Sequence, residues 1–289
     1  MKFVSLTAIV AEAEKKGIPF WKAVMLKDCF DKQYSKEESF EKMRLMYRAM
    51  EEADKNYDPL LRSESRLSGG DGQKLENYFN EGNSLCGGFL GKVIASAVKM
   101  GESNACMKRI VAAPTAGSCG VLPSVLITIK NEYSISEDDI VKALFTAAGV
   151  GEIIAIRASI SGAQGGCQAE IGSASAMAAA ALAQLKGGNN DEITHAAALA
   201  LKSMLGLTCD PVAGLVEVPC IKRNVMGAIT AFTSADMALA GVRSAIPPDE
   251  VIDAMGEIGS LLPKCLRETS TAGLAVMPTA VKITKELES

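Results

Sequence analysis

The sequence predicts a mainly α fold, a single large all-helical domain in which glycine-rich loops carry the functional residues. Two observations support this prediction. Apolar residues recur at intervals of three and four over most of the 289 residues. No segment alternates apolar and polar residues as a half-buried strand does, and none has strand–helix–strand spacing. Because 48% of the residues are hydrophobic, the chain can bury a large core.

Composition and charge exclude several classes of protein. The 30 basic and 34 acidic residues are interspersed and give a net charge of −4, which predicts no nucleic-acid partner and no anionic membrane surface. Glu12 and Glu14 follow the first apolar residues too closely for a secretory signal, and no apolar run reaches the roughly 20 residues that span a bilayer. We therefore expect a cytoplasmic protein whose eight cysteines are reduced.

The first 60 residues are predicted to form a helical lead segment, and residues 61–289 are predicted to form the core that carries the site. Apolar stripes at helical spacing fill residues 6–58. Ser35 begins a capping signal for the third helix, and Pro59 ends the segment.

The core is predicted to hold most of the helices. They are expected after residue 72, over 84–107, after 120, and over 140–160, 169–185, 191–205, 228–240 and 248–261, before an amphipathic tail. Residues 266–275 are charged and rich in hydroxyls, and they could form an ordinary solvated turn.

Two glycine-rich turns have the chemistry to hold a carboxylate. The turn at 68–72 precedes a helix and offers backbone N–H groups, while the turn at 115–118 places two hydroxyls beside a glycine. Alternatively, the first could be a plain turn or linker, and Ser118 could merely cap the next helix. The predicted substrate-binding residues are Ser68, Gly69, Gly70, Asp71, Gly72, Thr115, Ala116, Gly117 and Ser118.

Three cysteines lie at loops or helix ends: Cys167, Cys209 and Cys220. Loop cysteines can aim their sulfurs at a common point, and neighbouring glycines let the backbone approach a bulky inorganic group. Our hypothesis is an iron–sulfur cluster with only three protein ligands. The single histidine, His195, excludes a histidine-rich zinc site, and its alanine-rich context predicts a surface or structural role.

Four motifs together resemble the α chain of the iron–sulfur-dependent bacterial L-serine dehydratases. They are Ser-Gly-Gly-Asp-Gly at 68–72, Pro-Thr-Ala-Gly-Ser-Cys-Gly at 114–120, Gly-Cys-Gln-Ala-Glu-Ile-Gly at 166–172 and Cys-Asp-Pro-Val-Ala-Gly-Leu-Val-Glu-Val-Pro-Cys at 209–220. The resemblance implies that Cys167, Cys209 and Cys220 hold a [4Fe–4S] cluster with one open iron. It also implies elimination of water from L-serine, giving pyruvate and ammonia, with that iron as Lewis acid on the hydroxyl.

The resemblance also bears on partners and on alternatives. Because the sequence lacks the second domain of single-chain members, it implies an α subunit that works with a separate β subunit, which could supply the unidentified general base. The tail at 286–289 has no cysteine, so closure of the cluster by a C-terminal cysteine is not expected. No lysine has the sequence context of the pyridoxal phosphate dehydratases. A related L-cysteine desulfidase and a non-enzymatic cluster-binding redox sensor stay open, although the two carboxylate turns count against the sensor.

Overall fold

The computed structural model describes residues 2–288, and over that range it is built from α-helices without a β-strand. The mainly α prediction is thus confirmed. The helices are α1 Leu6–Lys16, α2 Phe20–Lys32, α3 Lys36–Lys55, α4 Asp71–Asn80, α5 Gly87–Ala105, α6 Val121–Tyr133, α7 Glu137–Arg157, α8 Gly162–Gly165, α9 Ser173–Leu185, α10 Asn190–Lys202, α11 Cys220–Leu239, α12 Pro248–Leu261 and α13 Pro278–Glu288. Among residues 2–288 no helix is long and apolar enough to cross a membrane.

The alanine-rich helix α9 lies at the centre of the core. It packs against α7, α10 and α11, and the side chains of residues 178–181 are fully buried. Small side chains make α9 thin, so three helices can approach it closely and bury their own apolar faces. This central position explains why a helix of low amphipathicity is stable: its apolar surface is covered on every side.

The lead helices α1–α3 share the core of the rest of the chain. Phe20 and Tyr47 are buried in the same cluster of apolar side chains as α7 and α9. At Gly149 of α7, an added Cβ would lie 2.5 Å from a methyl carbon of Val24, so glycine permits the close approach of α2. The predicted cap is present, since Ser35 accepts a hydrogen bond from the backbone of Glu38. The proposed division near residue 60 stays a prediction.

Two helices near the cysteines differ from expectation. Helix α11 begins at Cys220, eight residues before the predicted start. Gly227 lies inside this helix, where an added Cβ would be 2.9 Å from the side chains of Ile171 and Val121. Close packing thus overrides the low helix propensity of glycine. The run after Cys167 begins with a π-helical turn, Gln168–Gly172, and becomes α-helical at Ser173.

Candidate functional site

The three predicted ligand cysteines are buried and lie on different elements of one region. Cys167 precedes the π-helical turn, Cys209 lies in the loop after α10, and Cys220 is the first residue of α11. Their side chains are 2%, 3% and 7% exposed, respectively. Only Cys209 is fixed by an isolated β-bridge, which it forms with Arg267 within the described part of the chain.

Charge interactions couple the three buried thiols. Burial raises the pKa of Cys167 to about 11 and that of Cys220 to about 12, and it also raises the pKa of Cys209. The charge of Cys167 adds to the rise at the other two, while the guanidinium of Arg223 opposes the rise at Cys167. Buried thiols of this kind stay protonated at neutral pH unless a metal replaces the proton.

The cysteines do not form a site for a single metal ion. Within residues 2–288, no group of three or more His, Cys, Asp or Glu side chains converges in that way. A [4Fe–4S] cluster makes a different demand, because each cysteine binds a separate iron and the sulfurs stand around the cluster. Three buried, neighbouring thiols on loops and a helix terminus fit that demand.

A glycine pocket surrounds Glu170 and Cys209. An added Cβ at Gly162 would lie 2.7 Å from Oε2 of Glu170 and 3.2 Å from Sγ of Cys209. On the other side, an added Cβ at Gly117 would lie 3.0 Å from Oε1 of Glu170. Thr115 Oγ1 donates a 2.7 Å hydrogen bond to that oxygen. Burial raises the pKa of Glu170, and the Thr115 hydrogen bond opposes the rise. Glu170 therefore joins residues 115–118, the hydroxyl loop, to the segment that carries Cys167.

Asn224 makes a second link between these loops. Its side chain is 1% exposed, and its amide nitrogen donates to the carbonyls of Gly117 and Cys220 at 2.8 and 2.9 Å. The backbone N–H of Gly120 donates to the amide oxygen of Asn224 at 2.8 Å. One buried side chain on the first turn of α11 therefore fixes the spacing between Cys220 and residues 115–118.

The hydroxyl loop forms its own network. Ser118 Oγ lies 3.1 Å from Thr115 Oγ1 and accepts the backbone N–H of Thr115 at 3.3 Å. The N-cap of α6 is Gly120. The alternative in which Ser118 caps that helix is therefore wrong. Ala116 and Gly117 lie between the two hydroxyl residues in a short 3₁₀ turn.

In the glycine loop, several predicted anion-binding N–H groups already have a partner. The backbone N–H groups of Gly69, Asp71 and Gly72 donate to the carboxylate of Glu102 at 3.2, 2.8 and 3.1 Å. Tyr57 donates to the same carboxylate at 2.6 Å, and Glu102 is 1% exposed. An internal carboxylate thus fills this anion site and sets the shape of the loop.

The Ser68 side chain in this loop has free hydrogen-bonding capacity. Its hydroxyl oxygen is buried without a hydrogen-bond partner. Asp71 instead pairs with Lys74 and Lys222 at 2.9 and 3.1 Å, which ties α4 to α11. Gly70 has a φ of 81° and is the N-cap of α4, a conformation that favours glycine. A buried hydroxyl without a partner is costly, so Ser68 is suited to receive a ligand.

Further links hold the loops that carry Cys209 and Cys220. Glu217, 5% exposed, accepts hydrogen bonds from Ser63 and Ser65 at 2.7 and 2.8 Å, which joins the loop before the glycine turn to the cysteine motif. Asp210 accepts the backbone N–H of Leu274 at 2.8 Å and pairs with Arg223 at 2.9 Å.

Residues 266–275 are held against the Cys209 loop and do not form a free solvated turn. The backbone N–H of Cys209 donates to Leu266, and that of Glu268 donates to Cys209, at 2.9 and 2.8 Å. Ser270 Oγ donates to the carbonyl of Pro211 at 2.7 Å. The segment therefore clamps one of the three cysteines from the far end of the chain.

His195 has a structural environment, as its sequence context predicted. Its Nδ1 accepts the backbone N–H of Ser244 at 3.0 Å, and its Nε2 lies 3.3 Å from a carboxylate oxygen of Asp191. Burial lowers the pKa of His195, and Asp191 opposes the change. The imidazole thus joins α10 to the loop after α11.

Comparison with known proteins agrees with the motifs. The family model "Serine dehydratase alpha chain" matches residues 15–275. The chain is 49% identical over 253 residues to the "Probable L-serine dehydratase, alpha chain" of Bacillus subtilis (strain 168), covering 88% of this chain and 84% of that protein. It is 42% identical over 279 residues to the "L-serine dehydratase, alpha chain" of Peptoniphilus asaccharolyticus, covering 96% of each. "L-serine dehydratase 1" of Escherichia coli (strain K12) is 45% identical over 184 residues, which are 62% of this chain and 40% of that protein. The chain belongs to the serine dehydratase alpha chain family.

Proposed function

We propose that this chain is the α subunit of an L-serine dehydratase, which eliminates water from L-serine to give aminoacrylate and, after hydrolysis, pyruvate and ammonia. One observation carries the proposal: three buried cysteines lie on segments that hydrogen bonds of Glu170, Asn224 and Lys222 join to the two loops with serine and threonine hydroxyls. Metal and substrate ligands of one reaction must lie together, and these links support such an arrangement. The names of relatives that match along most of their length support the same activity.

The proposed cofactor is a [4Fe–4S] cluster held by Cys167, Cys209 and Cys220. The burial of the thiols and the close approach of Gly162 to Cys209, which a Cβ would obstruct, support it. When bound, an iron that no protein side chain ligates would supply Lewis acidity toward the departing hydroxyl. Such a cluster is sensitive to oxidants, so the reducing cytoplasm is the proposed location.

The side chains proposed to bind L-serine are those of Ser68, Thr115 and Ser118. Ser68 has a buried hydroxyl with free capacity, and Glu170 orients the hydroxyl of Thr115. Gly69, Gly70, Asp71 and Gly72 shape the first loop around Glu102, while Ala116 and Gly117 keep the second loop thin enough for close approach. In this assignment the protein's hydroxyls, more than the N–H groups of the glycine loop, hold and orient the substrate carboxylate.

A separate β subunit is the proposed partner and the proposed source of the general base. Abstraction of the α-proton needs a base with a pKa near the working pH, for which imidazole is the side chain best suited. The only histidine of this chain is engaged by Ser244 and Asp191. A hetero-oligomer therefore completes the site.

The test is product formation by anaerobically prepared, cluster-loaded chain with its β subunit. We expect pyruvate and ammonia in equal amounts from L-serine, and loss of activity in air that ferrous iron and a thiol restore. Release of sulfide from L-cysteine at a higher kcat/KM would favour the desulfidase instead. No turnover of either amino acid by the complex would favour a cluster-binding sensor.

Ser68→Ala provides the matching test of the substrate site. Because one hydrogen bond to the charged carboxylate is lost, we expect kcat/KM for L-serine to fall by about tenfold or more, since such a bond contributes roughly 1.5–3 kcal/mol. Iron content should not change. Unchanged kcat/KM would remove Ser68 from the site.

A further inference from the structure

A cavity lies between α8 and α12, beside the segment that carries Cys167. Its volume is about 330 Å³, near the lower end of the range for small-molecule sites. Its walls include Ala163, Gly165 and Ala169, which stand on both sides of Cys167 in the sequence, and Gly256 of α12. Most of the lining side chains are small, and the larger ones are those of Gln164, Met255 and Arg267, so the space suits a compact ligand.

Arg267 is the one charged side chain among the residues that line this cavity. Its Nε is buried and has no hydrogen-bond partner, and its Nη1 makes only a 3.3 Å contact with the carbonyl of Gln164. Within residues 2–288 no carboxylate pairs with it. By contrast, Arg157 and Arg223 each bind a carboxylate, at 2.5 and 2.9 Å. The guanidinium of Arg267 therefore retains unused donors.

The chemistry of the lining selects an anion. The Nε–H is enclosed by the protein, so the terminal Nη groups are the donors that Arg267 offers to a ligand in the cavity. Guanidinium has a planar fork of donors that matches a carboxylate. The hydroxyls of Ser159 and Ser260 already donate within the wall, to Gln164 and to Gly256, and no acidic side chain lines the cavity to repel an anion.

The position of Arg267 connects such a ligand to two of the cysteines. Its backbone forms the β-bridge with Cys209. The cavity wall also includes Gly165 and Ala169, which flank Cys167 in the sequence. We propose that this cavity binds a small carboxylate of two or three carbons, anchored by Arg267, at a site separate from the loops of Ser68 and Thr115. Only the identity of the natural ligand rests on the proposed function, which points to the carboxylate of L-serine or of pyruvate.

Ligand-observed NMR on the full-length, cluster-loaded chain tests the proposal, with sodium acetate as the probe and sodium chloride at matched ionic strength. We expect saturation transfer to acetate, and at least tenfold weaker binding in Arg267→Gln. Ser260→Leu, at an exposed position on α12, fills the cavity without removing the guanidinium and should weaken binding to a similar degree. The control Arg48→Gln alters a surface arginine on α3 that pairs with Glu137, and it should bind acetate as the wild type does.

Competition then identifies the source of the carboxylate. Displacement of acetate by L-serine would identify a second site for L-serine, and displacement by pyruvate would identify a product site. Acetate binding that is equal in the wild type and in Arg267→Gln, or absent from all variants, would overturn the proposal. Because binding is measured without turnover, a chain that binds acetate through Arg267 but does not convert L-serine would uphold this site while refuting the dehydratase. Full dehydratase activity, combined with acetate binding that is absent or does not depend on Arg267, would uphold the dehydratase and refute this site.

Discussion

Replacing Glu102 by Gln tests whether an internal carboxylate holds the glycine loop. Oε1 of Glu102 accepts the N–H groups of Gly69 and Asp71, and Oε2 accepts those of Gly72 and the Tyr57 hydroxyl. If the glutamine places its amide nitrogen at the position of Oε2, that nitrogen and the backbone N–H of Gly72 are both donors and cannot form a hydrogen bond. The Tyr57 hydroxyl can rotate and accept a hydrogen bond from the amide. At least one buried backbone N–H then lacks an acceptor, and the remaining bonds lose their charge assistance.

The expected cost is about 2 kcal/mol or more, because an orphaned buried donor alone costs roughly 1–3 kcal/mol. At about 2–4 °C per kcal/mol for a chain of this size class, thermal unfolding should move down by roughly 4–8 °C. The assay is circular dichroism at matched protein concentration, followed by KM for L-serine, which should rise as the loop loses its shape.

A matched control is Glu52→Gln. Its side chain is 63% exposed and lies 3.8 Å from Arg109, so its loss should change the free energy of unfolding by at most about 0.5 kcal/mol. If Glu102→Gln melts within 1 °C of this control and keeps the wild-type KM, the argument that Glu102 shapes the loop is wrong.

Three further predictions follow from the site. Gly162→Ala should lower iron content, because its Cβ would lie 2.7 Å from Glu170, whereas Gly88→Ala, which has open space, should not; equal iron in both would contradict the glycine pocket. Ser118→Ala should raise KM for L-serine by about tenfold or more at unchanged iron content, from the loss of a hydrogen bond to a charged group; a normal KM would leave Ser118 a structural role only. The α chain alone should form little pyruvate until β is added, and His195→Ala should match the wild type in the complex; full turnover by α alone that collapses in His195→Ala would refute the two-chain assignment.

Local signals in the sequence predicted most helices and the loops between them. Apolar periodicity placed α7 close to its observed position, and together with the cap at Ser35 it did the same for α3. Glycine, proline and cysteine marked the turns that carry the site. The sequence prediction began this helix at residue 228 instead of Cys220, and the close contacts of Gly227 with Ile171 and Val121 outweigh its low helix propensity.

The long-range contacts that join the loops of the site were harder to predict from the sequence. Glu102 follows Val98 by one helical turn and thus continues an apolar face of α5, which could have marked it as a buried carboxylate. Its partners lie some thirty residues earlier in the chain, however, and no local pattern specifies that pairing. The clamp of residues 266–275 on Cys209 is likewise a long-range contact, so its charged residues resembled an ordinary turn.

Iron and sulfide content of the anaerobically purified chain tests the central claim most directly. We expect about four of each per wild-type chain, and loss of both in Cys167→Ser, Cys209→Ser and Cys220→Ser. Cys119→Ala is the matched control, because Cys119 is equally buried and lies in the Ser118 loop but is not a proposed ligand. It should keep its iron. Full iron loading in any of the three serine variants, or an equal loss in Cys119→Ala, would contradict the assignment of the cluster ligands.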